Sequence, residues 1–217
     1  MKILLLGATG RTGKLVLEQA LAKGYSVNCL ARNSKRIEPK DQLTVLEGSP
    51  NSEADLKQAI AGCEAVISVL NISRKSDFPW SGLRTPKTLL SDTIRLILPL
   101  AEAQDLKRIT ICSAWGVAET INDIPWWFKW TIKNSNIKVA YEDHEKQEQI
   151  LTQSKVNWTI VRPVGLTNFK RKENIRVTSN NQPKPGILIS RLSVAKYLVD
   201  SLEDDALINK KVVISKA

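Results

Sequence analysis

The chain has 217 residues, 42% of them hydrophobic, with 32 lysines and arginines against 22 acids and a formal net charge of +10. That length suits one domain with a sizeable core. No apolar run is long enough to cross a bilayer, the first one is broken by glycine too early for a signal peptide, and the basic residues are scattered except at positions 32–36 and 170–172. Neither a membrane nor a nucleic-acid partner is therefore expected.

Residues 3–6 (ILLL) read as a strand covered on both faces, cut off by Gly7. Gly10 and Gly13 follow at three-residue spacing, and an amphipathic stretch starts at once. In such a strand–turn–helix, Gly7 allows the bend, Gly10 lets a phosphate approach the backbone, and Gly13 lets helix and strand pack closely. The helix N-terminus favours the negative charge. Lys14 invites a P-loop reading, which fails because Ala8 and Leu15 stand where a glycine and a Ser or Thr are required. Residues 25–30 form the next strand, which runs into ARNSKR. No acid stands there to hold the ribose hydroxyls of NAD; Arg32, Ser34 and Arg36 offer two guanidinium groups and a hydroxyl to the 2′-phosphate of NADP. A solvated basic loop is the plainer alternative.

A third strand is expected at 42–46, a helix capped by Asn51 or Ser52 running to about residue 60, and a fourth strand at 65–70. Residues 71–86 read as a long polar loop at the carboxyl end of that strand, where open α/β sheets bind ligands. A helix at 87–104, kinked by Pro99, leads to a strand at 108–112 followed directly by Ser113. A polar helix at 139–154, a strand at 158–162 closed by Pro163, a helix at 191–203 and a strand at 211–214 complete the chain. The alternation predicts an α/β, Rossmann-type doubly wound parallel sheet with helices on both faces. It is a single domain over 1–217, with a small substrate-side elaboration towards the C-terminus. Cys29, Cys63 and Cys112 fall in or beside buried elements without metal-ligand or paired spacing, so they read as core residues in a reducing cytoplasm, and no metal is expected. The basic run at 170–172 reads as a solvated loop or as help in holding an anionic substrate.

Together, GATGRTG, ARNSKR, ITICSAWG, DHEKQEQIL, WTIVRP and ISRLSVAKYLVDSLED resemble the atypical short-chain dehydrogenase/reductase superfamily. The branch is the small NAD(P)H-binding, NmrA-like group that includes flavin reductases of the biliverdin reductase B type. The resemblance spans nearly the whole chain. It implies a pyrophosphate site at Gly7, Thr9, Gly10, Arg11, Thr12 and Gly13, and a 2′-phosphate site at Arg32 and Arg36. Leu70 and Asn71 would flank the adenosine, and Ser113 and Pro163 the nicotinamide. Standard members of the superfamily use a Tyr-x-x-x-Lys pair, the lysine lowering the phenol's pKa. Here Glu145 stands four residues after Tyr141, and Lys146 lies about 100° further round the helix. Tyr141 therefore reads as a packing or substrate-wall residue. The flavin reductases carry an Asp-His pair matching Asp143 and His144, which puts the sole histidine near the cofactor against its plain structural reading. Their histidine after the sixth-strand proline is missing, with Val164 and Gly165 in its place, which argues against tetrapyrrole reduction. The family's acid after the third strand is replaced by Ser49.

Trp126, Trp127, Phe128 and Trp130 crowd IPWWFKW, with Trp115 before them and Trp80 in the loop after the fourth strand. They read either as core packing or as a wall in which Trp115, Trp127 and Trp130 stack a planar acceptor over the nicotinamide. The expected function is an NADPH-dependent oxidoreductase passing hydride to a planar acceptor such as a flavin or quinone, with Ser113 and His144 as candidate catalytic residues. The rival is an NADP(H)-binding redox sensor without turnover; a nucleotide-sugar epimerase or dehydratase is disfavoured by the short chain and the broken pair. A cytoplasmic monomer or homodimer is expected.

Overall fold

The computed structural model describes residues 1–169 and 173–217, so the basic run at 170–172 lies outside the described residues. The first half alternates strand and helix: β1 (Lys2–Leu6), α1 (Arg11–Ala22), β2 (Ser26–Ala31), β3 (Leu43–Glu47), α2 (Glu53–Ile60), β4 (Ala65–Ser68) and α3 (Leu89–Ala103). The second half contains β5 (Arg108–Cys112), α4 (Trp126–Lys133), α5 (Ile137–Thr152), β6 (Trp158–Pro163), β7 (Gly165–Thr167), β8 (Ile175–Thr178), β9 (Leu188–Ser190), α6 (Arg191–Asp200) and β10 (Lys210–Lys216).

One eight-stranded sheet has the order β3-β2-β1-β4-β5-β6-β10-β8, parallel throughout except for the β10–β8 edge, and β7 and β9 form a separate two-stranded parallel ladder. The strand order reverses between β1 and β4, which opens a crevice beyond their carboxyl ends. Side chains alternate across β1. Ile3 and Leu5 pack with Val16 and Ala20 of α1 and Val194 and Leu198 of α6. Leu4 and Leu6 pack on the other face with Leu56 of α2 and Ile94 and Ile97 of α3. A strand covered on both faces is apolar at every position, which is why ILLL carries no period-2 signal. This is a single-domain Rossmann-like α/β fold.

The expected core elements are present, and the differences lie at the ends. Helix α3 runs through Pro99, whose exposed position leaves the Arg95 carbonyl to water. Helix α4, whose aromatic cluster left a core-packed helix and a substrate wall both open, and the three short strands β7, β8 and β9 carry no clear periodicity because each is only three to eight residues long. The last strand extends to Lys216 because Val213 to Lys216 pair with β8.

Candidate functional site: the cleft at the strand-order reversal

A cleft of about 790 Å³ runs from the glycine turn to the carboxyl ends of β5 and β6. At its first end Gly7 holds φ +89°, a left-handed conformation, and a Cβ there would stand 2.9 Å from the Val69 carbonyl oxygen. A Cβ on Gly13 would lie 2.0 Å from the Gly7 carbonyl oxygen, so only glycine lets α1 start this close to β1. The Gly10 amide donates to Gly7 O at 3.0 Å. Gly10 also caps α1 without a side-chain hydrogen bond, and no acid stands in the first turn. The first-turn amides and the positive end of the helix dipole are thus left to an anion, and the residues present fit a dinucleotide pyrophosphate.

Thr9, Gly10, Arg11, Thr12 and Gly13 all line the cleft. The Arg11 guanidinium is held by Asp77 through two hydrogen bonds of 2.9 and 2.7 Å, a link between the glycine turn and the loop after β4. That bond keeps the Asp77 carboxyl below its usual range. Beyond the carboxyl ends of β2 and β4, Leu70, Asn71 and Arg32 line the cleft, while Ser34 and Arg36 do not. The sequence expectation for Ser34 needs correction: its hydroxyl donates to Glu47 Oε2 at 2.6 Å and its amide to the same oxygen at 3.2 Å. Those two hydrogen bonds hold the exposed Glu47 carboxyl below the usual range. Of the ARNSKR trio, only Arg32 reaches the cleft. In the turn after it (residues 34–36) the Ser34 hydroxyl is turned to Glu47.

Ser113, Pro163 and His144 line the far end. The Ser113 hydroxyl donates to Glu148 Oε1 at 2.6 Å. Glu148, only 1% exposed, pairs with buried Arg162, whose Nε donates to Glu148 Oε1 at 3.0 Å and whose Nη1 reaches Glu119. The proton of Ser113 thus points away from the cleft. Its oxygen can accept a hydrogen bond from a bound ligand but has no proton to give it. The Arg162–Glu148 pair was not singled out from the sequence. Asp143, His144, Gln147 and Glu148 share the buried face of α5 at i, i+1, i+4 and i+5, but a polar stripe on a polar helix gives no sign of which side is covered.

His144 is buried, and its Nδ1 has no hydrogen-bond partner. Burial drives its pKa down, against the opposing pull of Glu148 and Asp143, so the ring is neutral near pH 7. Asp143 does not orient it. Its carboxylate accepts from the Leu90 amide at 2.7 Å and from Ser91, and so caps α3, whose Thr88 N-cap makes no side-chain bond. Asp143 and His144 therefore do not act as a hydrogen-bonded pair.

The aromatic wall also needs correction. Trp115 is buried and lines the cleft, whereas Trp126, Trp127 and Trp130 are 80%, 54% and 56% exposed, and none of the three lines it. At about 100° per residue, α4 turns Phe128 and Ile132 inward and the tryptophans outward. Phe128 takes the wall position, edge-on to Tyr141 with ring centroids 6.4 Å apart. The Tyr141 hydroxyl donates to the Trp115 carbonyl at 3.3 Å, and burial pushes its pKa up against the pull of the Arg74 guanidinium. Among the described residues no lysine hydrogen-bonds to it, and Lys146 is exposed. Arg74 and Arg191 also line the cleft and were not expected, because their approach depends on the fold of the loop after β4 and on α6. Burial pushes the Cys29, Cys63 and Cys112 thiols up to about 12, 11 and 12, which favours their protonated form near pH 7.

Comparison with known proteins agrees with this geometry. A photosystem II assembly factor, Ycf39, of Trieres chinensis is 26% identical over 212 residues, covering 94% of this chain, and the chain spans only 60% of that relative's length. Among solved structures, a Veillonella parvula short-chain dehydrogenase/reductase in complex with NADP superimposes with a TM-score of 0.80 at 21% identity, covering 99% of this chain and 94% of that one. ChuY, an anaerobillin reductase from Escherichia coli O157:H7, gives 0.80 at 18% identity, covering 100% and 97%. The family model described as NAD(P)H-binding matches residues 7–205. The chain belongs to the family described as NAD(P)H-binding.

Proposed function

We propose that the protein is an NADPH-dependent reductase of a planar electron acceptor such as a flavin or quinone. One observation carries the reading: a single cleft joins the uncapped start of α1 to an aromatic-walled end formed by Trp115, Phe128 and Tyr141. NADPH, when bound, supplies the hydride. The first-turn amides of α1 hold the pyrophosphate, and Arg32 at the adenosine end favours the extra charge of a 2′-phosphate. Ser113 accepts a hydrogen bond on its oxygen and so orients the group that lies over β5, while the apolar walls exclude water. Neither Ser113 nor neutral His144 is placed as a strong acid, which suits an acceptor ring that takes its proton from solvent. The aromatic wall suits a flavin-reductase-like use of the cleft, and the three free thiols suit a reducing cytoplasm. Steady loss of nicotinamide absorbance on adding flavin or quinone to protein and NADPH is the expected result. Tight NADPH binding with no turnover across both classes refutes the reductase.

The second reading, an NmrA-like NADP(H) sensor, draws on the same groups: a serine proton committed to Glu148 and a tyrosine with no lysine beside it. The Tyr141 hydroxyl already donates to a backbone carbonyl, which is the arrangement of a structural phenol. Acceptor-free binding that changes the protein's hydrogen-exchange pattern in the loop after β4 is the outcome that favours this alternative.

A further inference from the structure

Among the described residues, ten large hydrophobic side chains are exposed; six are aromatic, and five of those six are Phe78, Trp80, Trp126, Trp127 and Trp130. These five sit on two segments fastened to one another. The Trp80 indole N–H donates to the Asn134 carbonyl at 2.7 Å, at the C-terminal end of α4, and the Asn136 side-chain amide donates to the Trp80 carbonyl at 2.9 Å. Phe78 and Trp80 pack at a centroid distance of 5.2 Å. Within α4, Trp126, Trp127 and Trp130 span an arc of about 100°, and Lys129 and Lys133 flank that arc on one side. The helix carries no acid, and Lys129 reaches only the neutral amide oxygen of Asn122, at 2.8 Å. An aromatic group this size, placed in water, is the kind of patch that marks a binding surface.

We infer that this face of α4 and residues 78–80 docks on an anionic lipid bilayer, with the tryptophans in the headgroup region and the lysines against the acidic headgroups. Indole combines a large apolar body with one N–H donor, which favours the bilayer interface over both water and hydrocarbon. Lysine stems lie along apolar surface while their ammonium groups stay in the polar layer. Charge complementarity selects this occupant. The protein carries +10 overall, and a second copy would set Lys129 and Lys133 against the same positive face, whereas an anionic surface attracts both. No helix among the described residues is long and apolar enough to cross a membrane, and a helix lying in the interface needs no such length. The sequence expectation of no membrane partner considered spanning segments alone. Phe128, on the inner side of the same helix, lines the cleft, so docking would bring the aromatic end of the cleft near the lipid layer.

The test uses the whole chain without nucleotide, so its failure is separate from any failure of the reductase reading. Co-sedimentation is measured with vesicles of phosphatidylcholine containing phosphatidylglycerol and with phosphatidylcholine alone. The expected result is binding to the anionic vesicles, a blue shift of tryptophan emission, and quenching by brominated acyl chains. Trp126→Ser with Trp130→Ser, and separately Lys129→Glu with Lys133→Glu, should each weaken binding at least about tenfold, the second pair removing roughly a fivefold factor per lysine. Added salt should mimic the lysine changes. Quenching in the unmodified protein keeps the proposal open to refutation should a variant fold poorly. Absence of vesicle binding overturns it, as does binding indifferent to both pairs of substitutions. Self-association lost in the tryptophan variant, with no vesicle binding, overturns it in favour of a second copy.

Discussion

The two ends of the cleft are built from different materials. At the glycine-turn end the backbone does the work: a left-handed glycine, a helix start with no side-chain cap, and a second glycine whose hydrogen faces a carbonyl. At the far end side chains do it. Ser113, Glu148, Arg162 and Glu119, from the end of β5, α5, β6 and the segment before α4, meet only because the sheet brings them together. Backbone sites are written in short stretches of sequence, and side-chain sites are written in tertiary contacts. Substitutions at the two ends should accordingly fail in different ways.

The largest effect is expected at the backbone end. Gly13→Ala forces a Cβ to within 2.0 Å of a carbonyl oxygen that belongs to another part of the main chain, so α1 has to move off β1. A loss of about 4 kcal/mol or more in unfolding free energy is expected, or no folded protein at all. Gly10→Ala meets the same oxygen at 3.3 Å and should keep the fold. Denaturant unfolding of the two variants distinguishes a local clash from a general intolerance of side chains in the turn.

Next comes the side-chain end. Arg162→Leu leaves Glu148, 1% exposed, without its main counter-charge. Breaking such a pair from one side costs about 3–5 kcal/mol, while removing both partners costs much less than the sum. The variants Arg162→Leu, Glu148→Leu and the double change should thus show strong positive coupling in a double-mutant cycle by thermal unfolding. Additive losses would mean the pair contributes little as a unit. Lys211, with its Nζ 3.9 Å from Glu148, limits the loss in the single variant.

What could be read from the sequence follows the same division. The strand–turn–helix of β1 and α1 was legible because GATGRTG states both its turns and its packing, and the doubly wound, mostly parallel sheet followed from alternating elements. Arg32 was legible from its position after β2. Ser34 and Arg36 were not separable from it, since only the turn at 34–36 decides which of the three side chains faces the cleft. The inward and outward faces of α4 were hidden because WWFKWTIK is aromatic on almost every side. Glu148 and Arg162 were hidden for a more general reason: a charge in a polar helix and one at the end of an apolar strand look like surface residues until the two are paired.

A smaller effect tests Arg32 against Arg36. Arg32→Ala removes a guanidinium that lines the cleft and should weaken NADPH by about tenfold or more while leaving NADH nearly unchanged, since a charged hydrogen bond is worth about 1.5–3 kcal/mol. Arg36→Ala should change either affinity by less than about threefold. Equal losses for both coenzymes in Arg32→Ala would remove the 2′-phosphate assignment. Glu47, held by Ser34 next to this end, makes the test sharper. If its carboxylate instead held a ribose, Glu47→Gln would weaken NADH and spare NADPH.

The smallest effect is a change of slope with pH, and it isolates the one ionisable ring in the side-chain half. Burial lowers the pKa of His144 in the folded protein, so below its ordinary value of about 6.5 the unfolded chain takes up a proton that the folded chain does not. Stability therefore rises with pH wherever the unfolded state binds more protons. The contribution of His144 is fully present above about pH 6.5 and is lost as pH falls towards the depressed folded pKa, with a limiting slope of about 1.4 kcal/mol per pH unit. The lowered carboxyl pKa values of Asp77 and Glu119 act in the same direction but at more acidic pH. Unfolding measured between about pH 5 and 7 should thus show a slope that His144→Gln flattens, whereas an unchanged slope in the variant would mean the ring protonates as freely folded as unfolded. The buried Nδ1 without a partner weighs against the second outcome, because the desolvation of a protonated ring outweighs the pull of Glu148, Asp143 and Gln147.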